Sequence, residues 1–290
     1  MFNPNARLDP GQVQDRRGRG MAGPIAAGGG GLGLIIAIVA LLLGVNPSDV
    51  GLDPNAVTAP PPPEVAGVQS TQECRTGADA NARADCRIVG FANSIQSYWS
   101  GEFQKRGWKY EPAQTVLFSG STNAACGHAS AAQGPFYCPP DQQIYLDLTF
   151  FQDLQRRFGA RGGPFAEGYI IAHEYGHHLQ NILGLLPEGG GATGAQGSQV
   201  RVELMADCFA GVWARHAAST GFLQAPSEQD LASALDAAAS VGDDRIQRQT
   251  QGRVTPESWT HGSAEQRMTW FRTGYESGNV DNCNTLRGRV

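Results

Sequence analysis

The sequence predicts an α+β domain, a small mixed sheet followed by helices that carry a metal site, preceded by an N-terminal transmembrane helix. Three observations lead there. Two short runs of strand character, 114–119 and 143–148, precede long stretches with helical periodicity; one of those stretches contains His173-Glu174-Tyr175-Gly176-His177; and residues 24–45 carry no charge.

Taken in chain order, residues 24–45 come first, with 32–43 almost continuously aliphatic. That length suffices to span a bilayer. Arg16, Arg17 and Arg19 precede the stretch while Asp49 and Asp53 follow it, so the positive-inside bias predicts residues 1–23 as a short cytoplasmic N-terminus and everything after the anchor as extracytoplasmic. Without a small-x-small site close behind, the anchor reads as uncleaved rather than as a signal peptide. Residues 46–72, including Pro60 to Pro63, form an extended proline-rich linker. Residues 73–290 remain for one catalytic-sized domain.

Within that domain, 84–99 reads as a helix and 114–119 as a strand. The run 143–148 alternates Ile144, Leu146 and Leu148 against Tyr145 and Asp147, as a strand with one apolar face does. A sheet placed before the metal-binding helix would offer an edge on which an extended peptide can lie through backbone hydrogen bonds.

The next element, 163–184, is a helix with Pro164 in its first turn and Gly184 near its end. H-E-x-x-H in its middle is its chemistry. Four residues advance a helix slightly more than one turn, so His173 and His177 project from one face, as two ligands of one zinc ion must. Glu174 points to a neighbouring direction, where it can take a proton from an activated water without occupying the coordination sphere. Tyr169, Ala172, Gly176 and Leu183 make a partly apolar stripe beside the pair. His178 lies about 100° round the helix from His177 and reads as structural.

Catalytic zinc generally takes three protein ligands, and Glu203 supplies the third in a second helix spanning 201–211. Asp207, one turn on, can accept the distal N–H of a ligating imidazole and fix its tautomer. Ala206, Ala210 and Ala214 flank this face, allowing close approach, while Leu204, Cys208, Phe209, Val212 and Trp213 line the other side. Both faces therefore read as buried. Between the two helices, 189–197 is glycine-rich and reads as a loop near the cleft, a lid or slack. His261 stands just before a helix start at Ser263, with Gln266 placed to complete a capping box. From there it could donate a hydrogen bond to the oxyanion of a hydrolytic transition state, Tyr145 being the alternative donor if His261 is structural.

Composition bounds the remaining choices. A net charge of -5, with no basic patch interleaved with aromatics, argues against nucleic acid as a partner; it is the H-E-x-x-H motif that points to a peptide or protein substrate. All six cysteines follow the anchor, and an even count on an oxidising side reads as disulfides, although six cysteines permit many pairings. Cys74 with Cys86 and Cys126 with Cys138 are local pairs of equal spacing, leaving Cys208 for Cys283. A Cys-based zinc site has no C-x-x-C spacing to support it.

H-E-x-x-H followed by Glu203-x-x-x-Asp207 resembles the gluzincin group of zinc peptidases. The runs 134–139, 144–147, 173–181, 203–208 and 260–267, and even the Met1-Phe2-Asn3-Pro4 start, are together similar to the bacterial neutral zinc metallopeptidase family. The resemblance covers nearly the whole chain and implies a zincin-like fold, one zinc ion per chain and a membrane-anchored, extracytoplasmic peptidase. His128 stands where the family pattern leads one to expect a small residue, and it is not assigned to the metal. A different class of function remains open beside the peptidase: a catalytically inactive, zinc-stabilised, membrane-tethered peptide-binding protein. Glu174 discriminates against it, since a structural zinc site needs no general base there.

Overall fold

The computed structural model describes residues 1–18 and 70–290. Six strands are present among them: β1 (Val13–Asp15), β2 (Gln114–Phe118), β3 (Ser121–Ala124), β4 (Gly127–Ser130), β5 (Phe136–Cys138) and β6 (Gln143–Asp147). β3 and β4 form a hairpin, and the other four make one mixed sheet in the order β1-β2-β6-β5. β2 runs parallel to both β1 and β6, with Thr115 opposite Val13 and Ile144, while β5 is antiparallel to β6. The expected alternation holds. Val13, Leu117, Ile144 and Leu146 enter the main core, whereas Val116, Phe118 and Tyr145 form a second cluster with Cys138, covered by Phe136, by Ala124 at the end of β3 and by Ala131 just after β4.

Among the described residues, eight α-helices follow the same sequence logic: α1 (Gly77–Ala82), α2 (Ala84–Lys105), α3 (Thr149–Phe158), α4 (Pro164–Ile182), α5 (Ser198–His216), α6 (Glu228–Ser240), α7 (Asp243–Gln251) and α8 (Ala264–Ser277). α4 opens on Pro164, whose missing N–H costs nothing at a first helical position, and stops before Gly184, which adopts φ +67°. α5 is the central helix. From Leu204 to Ala214 every residue is buried, so both of its long faces are covered. Its closest neighbour is α8, because Gly211 faces the backbone of Phe271 and Tyr275 while Gly274 faces that of Cys208. Any side chain at either glycine would force these helices apart.

The N-terminal expectation is corrected here. Residues 1–18 are part of the folded unit: β1 is a strand of the main sheet, and Phe2 is 1% exposed, its ring edge-on to Phe91 at 4.8 Å in a slot opened by Gly90. Asn81 closes on Phe2 from both sides, accepting its N–H at 3.1 Å and donating to its carbonyl at 3.0 Å. Asn93 does the same for Asp9 at 2.7 and 3.0 Å. Arg17 pairs with Asp15 at 2.7 Å and with Asp85 of α2 at 2.9 Å, so the segment is tied to the domain at its far end too. A chain crossing a membrane once between residues 18 and 70 would separate β1 from β2. No helix among the described residues is long and apolar enough to cross a membrane. The expected N-terminal transmembrane helix and the single-pass, extracytoplasmic localisation are therefore withdrawn. The stretch 24–45 and most of the expected linker, 46–69, lie outside the described residues.

Three disulfides are closed, Cys74–Cys86, Cys126–Cys138 and Cys208–Cys283, with Cα atoms 5.1, 5.8 and 5.5 Å apart. The last joins the C-terminal segment to α5 one residue beyond Asp207. The loop 189–197 is neither a free lid nor slack: Gly194 donates to Trp259 O at 2.7 Å, and the Gln196 side chain donates to Val290 O at 2.5 Å.

Candidate metal centre

Three side chains from two helices converge. On α4, His173 and His177 lie one above the other, their rings 4.8 Å apart and nearly perpendicular. From α5, Glu203 sends one carboxylate oxygen to within 3.1 Å of His173 Nε2 and the other to within 3.4 Å of His177 Nε2. Two ligands of a tetrahedral zinc ion with bonds near 2.0–2.1 Å stand about 3.3 Å apart, so the separations fit the group the donor set implies. The helices come this close because position 176 has no side chain: a Cβ there would stand 2.9 Å from Ala206 Cα and 3.1 Å from its carbonyl. Gly176 and Ala206 are thus as much part of the site as the ligands.

Each imidazole is oriented through its other nitrogen. His173 Nδ1 lies 2.8 Å from Asp207 Oδ1, and His177 Nδ1 lies 2.9 Å from Gln180 Oε1, whose amide nitrogen donates onward to Val202 O at 2.6 Å. With both Nδ1 atoms donating, each imidazole in its neutral form has its lone pair on Nε2, facing Glu203, the tautomer a metal requires. Asp207 is fully buried and receives more: Tyr169 Oη donates to Oδ1 at 2.5 Å, and Arg267 donates from Nε to Oδ2 at 2.9 Å and from Nη2 to Oδ1 at 3.0 Å.

The charges are mutually dependent. Burial by itself would hold Glu203 protonated, but the positive charges of His177 and His261, with the hydrogen bond from His173, outweigh it and keep its carboxyl well below the usual range. Burial likewise opposes a charged His173, yet Asp207 and then Glu203 push its pKa up to about 10. Without a metal His173 favours its protonated form. A cation taking the place of that proton would satisfy the same carboxylates.

Glu174 follows His173 and is 8% exposed, and among the described residues no donor reaches its carboxylate. His261 lies close enough to Glu203 for each to feel the other's charge, and its loop is held in place. Asp243 at the start of α7, itself 0% exposed, accepts the backbone N–H of Thr260, His261 and Gly262 on one oxygen at 2.8, 2.7 and 3.0 Å. Its other oxygen stands 3.5 Å from His261 Nδ1, which also meets Thr260 Oγ1 at 2.8 Å. The loop turns at Gly262, whose φ of +89° suits glycine. His261 Nε2 has no hydrogen-bond partner among the described residues, on a side chain 40% exposed.

Other expected residues lie elsewhere. The Tyr145 hydroxyl donates to Asp141 at 2.8 Å and its ring stacks on Phe136, in the cluster on the far face of the sheet. His178 is buried between the Tyr137 hydroxyl and Glu111 O, at 3.1 and 2.6 Å. His128 sits on the β3–β4 hairpin against Asn123. The sequence reading missed Gln180, Asp243 and Arg267. The i, i+3 spacing from His177 could have found Gln180; nothing local marks the other two.

The family model described as "Putative neutral zinc metallopeptidase" matches residues 4–286. The chain belongs to that family. The match begins at residue 4, in agreement with the place of the N-terminal segment in the fold. An uncharacterized protein of Mycobacterium tuberculosis is 49% identical over 249 residues, 82% of this chain and 84% of its own. An uncharacterized protein of Escherichia coli is 40% identical over 293 residues, 97% of each chain. No solved structure matches.

Proposed function

We propose that the chain is a zinc-dependent endopeptidase whose metal is held by His173, His177 and Glu203, one ion per chain. The observation that carries the reading is the convergence of two Nε2 atoms and one carboxylate at tetrahedral spacing, with Glu174, whose carboxylate no donor among the described residues reaches, next to His173 on the same helix. Zinc, when bound, supplies a Lewis acid that sharpens the carbonyl's electrophilicity and acidifies water. Glu174 then takes the proton from the attacking water and passes it to the leaving amine as the peptide C–N bond breaks. His261, its loop fixed by Asp243, donates a hydrogen bond to the oxygen on which negative charge develops. Partial burial disfavours the imidazolium, but the carboxylates of Glu203 and Asp243 favour it, which suits a donor.

Substrate alignment follows from the sheet. β5 is an edge strand, paired only with β6 among the described residues, and Asn181 of α4 donates to Tyr137 Oη on it at 2.9 Å. The unpaired edge beside the metal helix can take an extended peptide through backbone hydrogen bonds, which do not depend on side-chain identity.

The test is to purify the full chain, measure bound zinc, and follow cleavage of an unstructured protein such as casein with and without a chelator. The reading expects about one zinc per chain and cleavage that disappears on chelation and returns with zinc. Zinc retained with no cleavage of any peptide presented would leave the inactive peptide-binding protein in its place.

A further inference from the structure

Asp207 does more than meet one imidazole. Its Oδ1 sits where α4, α5 and α8 come together and faces three donors, His173 Nδ1, Tyr169 Oη and Arg267 Nη2, while Oδ2 takes Arg267 Nε. Arg267 is 3% exposed and its Nη2 also donates to Tyr169 Oη at 3.2 Å, so guanidinium, phenol and carboxylate form a closed ring of hydrogen bonds. A carboxylate turns easily about its last bond, and a single contact to an imidazole does not stop it. The paired donors of the Arg fork do, because they bond to both oxygens and fix the carboxylate plane.

The orientation matters for a reason visible in the distances. Arg267 Nη2 is itself only 3.3 Å from His173 Nδ1. Were Asp207 turned away, Nδ1 would meet a donor, the ring would carry its hydrogen on Nε2, and that nitrogen could not bind a metal. With Asp207 held in place, Nδ1 donates, and the neutral ring keeps its lone pair on Nε2, beside Glu203, where a metal would sit. An ion pair whose only task was to join α5 to α8 would have no need to share its oxygen with a ligand of the centre.

Resting on the metal set proposed above, we infer that Arg267 and Tyr169 are positioning residues of the centre, which hold Asp207 so that His173 presents Nε2 to the metal. The experiment compares the full chain with Arg267→Lys, which keeps the charge and loses the fork, and Tyr169→Phe, which keeps the volume and loses one O–H. Arg17→Lys, in a partly buried ion pair remote from the centre, is the control for a purely structural pair. Zinc affinity is read by competition with a chelator, coordination by the visible absorption bands of the cobalt-substituted protein, and folding by circular dichroism of the metal-free forms.

Arg267→Lys should weaken zinc by about ten- to a hundredfold and Tyr169→Phe by about tenfold, both with altered cobalt bands, while Arg17→Lys changes neither. Wild-type affinity and bands in both site variants would overturn the inference. If Arg267→Lys does not fold, Tyr169→Phe decides. A wild type that holds zinc in this Arg267- and Tyr169-dependent way yet cleaves nothing refutes only the peptidase; one that cleaves peptides with zinc affinity indifferent to both variants refutes only the positioning. A wild type that takes up no zinc refutes both.

Discussion

At the scale of single residues, the proposed mechanism separates holding a metal from moving a proton, and substitutions can test that. Glu174→Gln preserves size and removes the base, so zinc should stay bound while kcat falls by at least about a hundredfold; unchanged turnover in a zinc-loaded variant would take Glu174 out of the mechanism. His261→Gln should lower kcat with KM and zinc content close to wild type, as loss of a group acting on the transition state does. Asp243→Asn should follow it in part, because an amide cannot accept the three backbone N–H groups as strongly. A His261→Gln protein that melts at lower temperature but keeps its turnover per folded molecule would make His261 structural. These residues were unequally legible. His173, Glu174 and His177 announce themselves by spacing within one helix, and Glu203 with Asp207 by spacing within a second. Arg267, by contrast, is 60 residues from Asp207, and a partner chosen by the tertiary fold leaves no local pattern.

Elements bring those residues together through their smallest side chains. The sequence shows an alanine row on α5 and therefore a close helix contact, but the matching hollow is Gly176, inside the metal motif, and the second contact pairs Gly211 with Gly274 of a helix far along the chain. Gly176→Ala tests the first. Its methyl would meet Ala206 backbone at 2.9 Å, too close for real atoms, so α4 and α5 must part by a few tenths of an ångström. Overpacking of this kind costs about 1–3 kcal/mol. Glu203 sits one turn before Ala206, so the larger consequence is a loosened third ligand: zinc affinity measured by chelator competition should drop by about tenfold or more while helix content is retained. An unchanged affinity would show that the helices have room to slide. Strands illustrate the converse limit of legibility. β2 and β6 are long enough for their alternation to be read, whereas β1 is three residues within a stretch whose arginines suggested a cytoplasmic tail. Its pairing is decided by β2, a hundred residues away.

For the whole molecule, the decisive feature is that the chain begins inside its own fold. Phe2 fills a core slot as completely as Phe91 does, so Phe2→Ala should cost about 3–5 kcal/mol, seen as a lowered denaturation midpoint. The far end of the segment gives a pH signature. Burial alone would raise the carboxyl pKa of Asp15 and Asp85; hydrogen bonds and charge from Arg17, joined by Arg83 at Asp85, reverse this and hold both below 3.8. Groups whose folded pKa is depressed contribute stability that is present in full above the unfolded value and lost as pH falls through the folded one. Arg17→Met should therefore unfold more easily than wild type at neutral pH, with the difference beginning to narrow below about pH 4, where the unfolded chain's carboxyls take up protons, and narrowing further as the pH falls toward the depressed folded-state values. The measurement is denaturant unfolding of both proteins from pH 7 to pH 3. A gap that stays constant across that range would mean that Arg17 contributes by packing alone, and that the two aspartates do not anchor the N-terminal strand through their charge.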